Sequence, residues 1–183
     1  MEIRPLPRAE VEIRPLTRAD SEAFRALRRE MIEREPRAFG ESLAEHDATP
    51  AEAVARRLDS ASADHFVMGA FAPGGQLVAV AGFARNLRAK ARHKGLIWSV
   101  YVQPTWRNQG VARAVLTELI ERARAAGGVE KLILTVAADQ APARRLYRSL
   151  GFEVFGQEKH ALCVDGNYVD EDHMVLWLKP RPA

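Results

Sequence analysis

One stretch constrains the fold of this chain more than any other: an apolar strand, a glycine-containing turn and an amphipathic helix follow each other without a break. Leu96-Ile97-Trp98-Ser99-Val100-Tyr101-Val102 is rich in aromatic and β-branched residues, as a buried strand is. Pro104 ends the strand and removes a donor. Ala112, Leu116, Leu119, Ile120 and Ala123 then recur at spacings of three and four, leaving Glu118, Glu121, Arg122 and Arg124 mostly on the other face. That order has the geometry of an anion cradle. The first helical amides point outward unpaired, the helix dipole favours negative charge, and Gly110 lets a ligand approach the backbone with no Cβ in the way. Arg107 adds a fork of donors suited to a phosphate.

The run Arg107-Asn108-Gln109-Gly110-Val111-Ala112, with its Val-x-Pro lead-in from Val102 to Pro104, resembles the Arg/Gln-x-x-Gly-x-Gly/Ala loop of the GNAT superfamily of N-acetyltransferases. A second segment agrees. Lys131 to Val136 reads as another buried strand, Pro142 suits a first helical turn, and Leu146, Tyr147 and Leu150 keep helical spacing until Gly151. Its run Ala143-Arg144-Arg145-Leu146-Tyr147-Arg148-Ser149-Leu150-Gly151-Phe152 is similar to the Ala-x-x-Leu-Tyr-x-x-x-Gly-Phe signature after the fifth strand of these enzymes. The resemblance implies that the loop through Arg113 takes the pyrophosphate of acetyl-coenzyme A, with Ala143, Arg144 and Tyr147 beside the pantetheine arm. It also implies a backbone amide of Val100, Tyr101 or Val102 on the acetyl carbonyl. Where the family usually has Asn before the second motif, this chain has Gln140, which keeps an amide but adds a methylene.

Along the chain, Glu2-Ile3-Arg4-Pro5-Leu6 is nearly repeated by Glu12-Ile13-Arg14-Pro15-Leu16. The second copy is the better first strand, because Asp20 can cap a helix from Ser21 to Ile32. Residues 1–10 are then a tail that can pair with an exposed sheet edge of this or another subunit, giving a homodimer. Pro36 breaks the helix, and Pro50 opens another from Ala51 to Leu58. Pro73-Gly74-Gly75-Gln76 joins two apolar strands as a hairpin. Two last strands, about Glu153 to Val164 and Asp172 to Leu178, meet through Asp165-Gly166-Asn167. The order matches the GNAT arrangement: one α/β (α+β) domain over residues 11–180, with a mixed, mostly antiparallel sheet of about six or seven strands. The family's sheet is splayed between its fourth and fifth strands and carries helices on both faces.

At 183 residues the chain is long enough for one sizeable core and short for two. No apolar run reaches bilayer length, so no membrane partner is expected. The single cysteine, Cys163, rules out an internal disulfide and suits a reducing cytosol, so a cytoplasmic protein is expected. The net charge of +3 favours anions mildly. Arg85, Arg88, Lys90, Arg92, His93 and Lys94 form a basic run that reads either as a solvated loop or as a guide for coenzyme A or for an anionic part of the acceptor. It lacks interleaved aromatics, so no nucleic-acid partner is expected. The five histidines lack metal-ligand spacing, and no metal site is expected.

Acetyl transfer to an amine, which the resemblance implies, calls for a base and an acid. Tyr147 occupies the motif position whose hydroxyl reaches the coenzyme A sulfur in relatives, so it is the acid candidate; packing alone is its structural alternative. The base is open between Glu41, His93, Asp170, Glu171, His173 and a water chain. Two function classes follow. One is an acetyl-coenzyme A-dependent N-acetyltransferase acting on a small-molecule or peptide amine; the other is a related module that binds acyl-coenzyme A as an effector without turnover.

Overall fold

The structure, a computed structural model, describes residues 10–179. In chain order its elements are β1 (Glu12–Pro15), α1 (Ser21–Arg34), α2 (Leu43–Ala48), α3 (Ala51–Asp59), β2 (His65–Phe71), β3 (Leu77–Arg85), β4 (Lys94–Val102), α4 (Val111–Ala125), β5 (Lys131–Ala137), α5 (Ala141–Ser149), β6 (Glu153–Val164) and β7 (Asn167–Trp177). The seven strands form one sheet in the order β1-β2-β3-β4-β5-β7-β6. Every neighbouring pair is antiparallel except β4 with β5.

The second sequence copy supplies β1, while the first lies outside the described residues. Asp20 does not cap α1 with its side chain, as the sequence suggested. Both oxygens instead accept from the Arg14 guanidinium at 2.8 Å, and Oδ2 also accepts from the Thr17 amide at 2.8 Å. The Arg14 hydrogen bonds hold this buried carboxyl down at about 2, and the carboxylate locks β1 to the turn that starts α1.

Helices cover both faces. Phe24, Leu27, Met31 and Ile32 of α1 and Val54 and Leu58 of α3 pack with Val67, Val80 and Tyr101 on one face. On the other, Val115, Leu116, Leu119 and Ala123 of α4 pack on Phe66, Phe83, Ile97, Leu132 and Leu134, joined by Tyr147 and Phe152.

Two departures from regular pairing shape the sheet's centre. Parallel pairing of β4 with β5 is confined to Lys94↔Lys131, Gly95↔Leu132 and Leu96↔Ile133. Between the Gly82↔Trp98 and Val80↔Tyr101 pairs, Ser99 and Val100 together oppose Ala81, a β-bulge with Ser99 at φ 50°. Beyond Leu96 the two strands therefore diverge. Gly82 is required beneath that bulge, since a Cβ there would lie 2.3 Å from the Trp98 ring.

At the far end of the chain, β7 begins at Asn167, five residues before its expected start at Asp172. The β6–β7 turn consists of Asp165 and Gly166, both at positive φ (49° and 76°), a two-residue hairpin geometry that needs no third residue. The basic run folds away from the sheet's open end. Arg85 and Arg92 both pair with Asp64, near the start of β4, so neither is a guide at the cradle beyond Val102.

Candidate active site

The divergence of β4 and β5 opens a cleft of about 710 Å³. Its mouth is the start of α4. Gly110 stands before that helix at φ 81°, ψ 0°, with no side-chain cap. The first intrahelical bond runs from the Ala114 amide to the Gly110 carbonyl at 3.0 Å, so the amides of Val111, Ala112 and Arg113 have no helical acceptor. A Cβ at Gly110 would meet nothing within 4 Å. Space, free donors and dipole all suit a pyrophosphate.

The side chains around this cradle are more occupied than the sequence suggested. Arg107 lines the cleft, but its Nε donates to the Val102 carbonyl at 3.0 Å and a terminal nitrogen pairs with Glu35 at 3.0 Å. It is tied to the end of α1 rather than held out as a free fork. Gln109 turns back to donate to the Thr105 carbonyl at 2.7 Å and does not line the cleft. Asn108 lines it at φ 60°, and Arg113 lines it while donating to the Ser149 hydroxyl at 2.6 Å.

One wall comes from β5 and α5. Gln140, Pro142, Ala143, Leu146 and Tyr147 all line the cleft. Tyr147 is 6% exposed, with its ring edge-on to Phe152 at 5.9 Å, and burial pushes its phenol pKa well up, so it keeps its proton. Arg144, read from the motif as a cofactor contact, faces away. It pairs at 2.6 Å with the buried Asp172 and donates to the Ala138 carbonyl at 3.1 Å, bracing α5 against β7 from behind.

The opposite wall comes from β4, α1 and the segment after it. Val100, Tyr101 and Val102 line the cleft, and the Tyr101 hydroxyl donates to Glu30 at 3.0 Å. Burial, followed by that carboxylate, pushes the Tyr101 pKa up to about 12. Arg28 of α1 reaches in to donate to the Ser99 hydroxyl and to pair with Glu41. Met31, Phe39 and Trp98 complete an apolar surround. Behind Glu41, the buried His46 places Nδ1 4.0 Å from its carboxylate.

Of the five base candidates, Glu41 and Glu171 line the cleft and His93, Asp170 and His173 do not. His93 lies before β4, where its carbonyl takes the Glu130 and Lys131 amides. Asp170 is held by Lys159 at 2.8 Å and the His160 amide at 2.9 Å. The His173 ring lies 3.3 Å from Glu158 and against Phe155. Glu171 pairs across the sheet with Ala137, on the same face as Thr135 and His173, whereas Asp172 pairs with Val136 on the α5 face. Burial raises the Glu171 carboxyl pKa; the His173 charge opposes the rise, the Glu158 charge adds to it, and the Thr135 hydroxyl opposes it weakly.

Sequence reading missed Arg28, Ser99 and Glu35 as cleft residues. The arginines of α1 (Arg25, Arg28, Arg29 and Arg34) carry no mark in the sequence that separates Arg28 from the others; its tertiary contacts with Ser99, Glu41 and the Trp98 ring, 5.7 Å away, do so.

A sheet parted between two parallel strands, with uncapped helical amides at its mouth and a protonated phenol within, is a split-sheet α/β domain whose cleft has the space and the donors that suit a phosphorylated ligand. The sequence model of the Acetyltransferase (GNAT) family matches residues 23–152, and the chain belongs to that family. Similar proteins include the L-amino acid N-acetyltransferase AaaT of Escherichia coli strain K12, 38% identical over 77 residues, 42% of this chain and 48% of that one. The N-alpha-acetyltransferase RimI of Mycobacterium tuberculosis is 36% identical over 120 residues, 66% of this chain and 71% of that one. The chain spans about half the length of most of the curated relatives it matches. A putative acetyltransferase from Salmonella typhimurium, solved with its cofactor acetyl-CoA, superposes with TM-score 0.79 at 23% identity, covering 95% of this chain and 97% of that one. Ribosomal-protein-alanine N-acetyltransferase from Brucella melitensis superposes with TM-score 0.75 at 30% identity, covering 91% and 99%.

Proposed function

We propose that this protein transfers an acetyl group from acetyl-coenzyme A to the amine of a small molecule or peptide, by direct attack while both substrates are bound. The observation that carries this reading is the cleft itself, which joins an uncapped helix start at Gly110 to a buried, protonated Tyr147 through the parted strands. Acetyl-coenzyme A supplies the thioester; the amine nitrogen forms the new C–N bond as the C–S bond breaks, one proton leaves the amine, and the departing sulfur takes one. The chain's own groups divide that work. The α4 amides and Gly110 seat the phosphates, while Gln140 and Ala143 border the pantetheine path. Backbone amides near the Ser99 bulge face the acetyl carbonyl as an oxyanion-type donor.

Tyr147 gives its proton to the sulfur. A phenol with a raised pKa is a reluctant acid, yet thiolate charge developing in the same apolar cleft raises the sulfur's proton affinity as well. Glu171 takes the amine's proton. Among the described residues it is the cleft carboxylate with no arginine or lysine pairing, whereas Glu35 is bound to Arg107 and Glu41 to Arg28. A raised carboxyl pKa also makes it the stronger base of the ordinary carboxylates.

Support also comes from what the relatives are named for: amino-acid and peptide N-acetylation, and a structural neighbour that carries acetyl-CoA. The test is thiol release from acetyl-coenzyme A with a panel of amines, combined with mass detection of the acetylated product. Product formation with any amine, above hydrolysis, is the expected result. Tight coenzyme A binding with no transfer to any amine would mean an effector-binding module instead.

A further inference from the structure

We propose that the acceptor is a free α-amino acid, held as its zwitterion, with Arg28 as the carboxylate receptor; this rests on the transferase reading above. Arg28 rises from α1 into the cleft with its side chain 16% exposed. Its bonds to Ser99 and Glu41 use one N–H on each terminal nitrogen, leaving Nε–H and one N–H on each of those nitrogens as donors for a carboxylate. The Arg28–Glu41 pair is neutral as it stands. Adding a lone carboxylate would leave this partly buried wall with excess negative charge, and adding a lone ammonium would leave the unpaired donors unused. A zwitterion brings both charges together, with Glu41 and Glu171 as the carboxylates that its ammonium can face; the ammonium gives one proton to Glu171 to become the neutral amine that attacks, and the second proton leaves nitrogen as the C–N bond forms, balanced by the proton that Tyr147 gives the sulfur.

Position narrows the acceptor further. Ser99, which Arg28 contacts, is the bulge residue immediately before Val100. A carboxylate on Arg28 is therefore close to the place where the nitrogen reacts, as it is when both groups share one carbon. The N-terminus of a peptide offers a neutral amide there, and a lysine side chain offers methylenes. Met31, Phe39 and Trp98 leave apolar walls for the amino acid's side chain.

The experiment compares the standard amino acids with their α-amides and with tripeptides that begin with the same residues. It reads both kcat/KM by thiol release and affinity by calorimetric titration into the coenzyme A-saturated protein. Free acids should exceed their amides by about 10- to 100-fold in either readout, the size of a charge-assisted carboxylate contact. Intrinsic reactivity runs the other way, because the carboxylate keeps its neighbouring amine protonated. Arg28→Gln should remove the preference by lowering the acid to the level of the amide, and Arg28→Lys should restore part of it. Amides or tripeptides matching or beating the acids would overturn the proposal while leaving the transferase reading intact. Equal losses for acid and amide in Arg28→Gln would also overturn it. Selective binding of acids without thiol release would uphold the acceptor site and refute the transferase; no binding and no release would refute both.

Discussion

Gly110→Ala separates the backbone role of this position from its ligand role, because the two costs can be worked out separately. At φ 81° a Cβ is strained by about 1–2 kcal/mol, yet nothing in the protein lies within 4 Å of it, so no clash adds to that figure. Unfolding entropy of about 2 cal/mol/K per residue, over a chain of 183 residues, converts this to a fall in Tm of about 3–6 °C. Gly74, at φ 96° in the β2–β3 turn and also with nothing within 4 Å, is a matched control that carries the same strain far from the cleft. Both alanine variants should therefore lose similar stability by calorimetry. Coenzyme A titration should set them apart. The Gly110 variant should bind about 10- to 100-fold more weakly, since its methyl occupies the space through which phosphates reach the α4 amides, a loss the size of one charge-assisted hydrogen bond. Gly110→Glu, which puts a carboxylate there, should abolish binding. Unchanged coenzyme A affinity in Gly110→Ala, with the Tm shift present, would refute the cradle.

Tyr147→Phe keeps the ring against Phe152 and should lower kcat by about a hundredfold or more with coenzyme A affinity unchanged; a parent-like kcat would leave Tyr147 a packing residue. Glu171→Gln should lower kcat similarly and remove the acidic limb of the pH–rate profile, a limb that lies above the ordinary carboxylate range because burial raises this group's pKa. Asp20→Asn should destabilise the fold at neutral pH by up to about 2 kcal/mol, discounted for the half-exposed Arg14. Because the folded pKa of Asp20, about 2, is below its ordinary value of 3.8, this stability is present above about pH 4 and is lost as pH falls toward 2; denaturant titrations of parent and variant should converge there. A chain lacking residues 1–9 should unfold with unchanged cooperativity and Tm, since the second sequence copy forms β1.

What the sequence revealed and what it hid have a common physical division. The strand-turn-helix at Gly110, the α5 motif with Tyr147 and the Pro73–Gln76 hairpin were legible because each depends on neighbours in the chain: a hydrophobic period, a positive φ, a proline in a first turn. Side-chain partners across the sheet were not. Asp20 looks like a helix cap, but a nearby arginine on β1 captures its carboxylate. Arg107 looks like a phosphate fork until Glu35, distant in sequence, pairs with it. Within Asp170-Glu171-Asp172, composition suggests only a charged strand entrance; the register of β7 on β5 sends Glu171 to the cleft and Asp172 to Arg144. The Ser99 bulge has no local signature, because glycine and tryptophan meet there only after β3 and β4 pair.

The brevity of the β4–β5 pairing has a mechanical meaning. Three rungs, from Lys94 to Leu96 against Lys131 to Ile133, join a leaf of four strands to a leaf of three. So short a seam leaves the width of the gap to be set by what packs behind it rather than by strand pairing. The open lengths of the two strands leave backbone N–H and C=O groups facing the gap, beyond the point where the strands pair with each other. Beyond those three rungs it is the side chains of α4, packed on Phe66, Phe83 and Ile97 of one leaf and on Leu132 and Leu134 of the other, that hold the two leaves as one body.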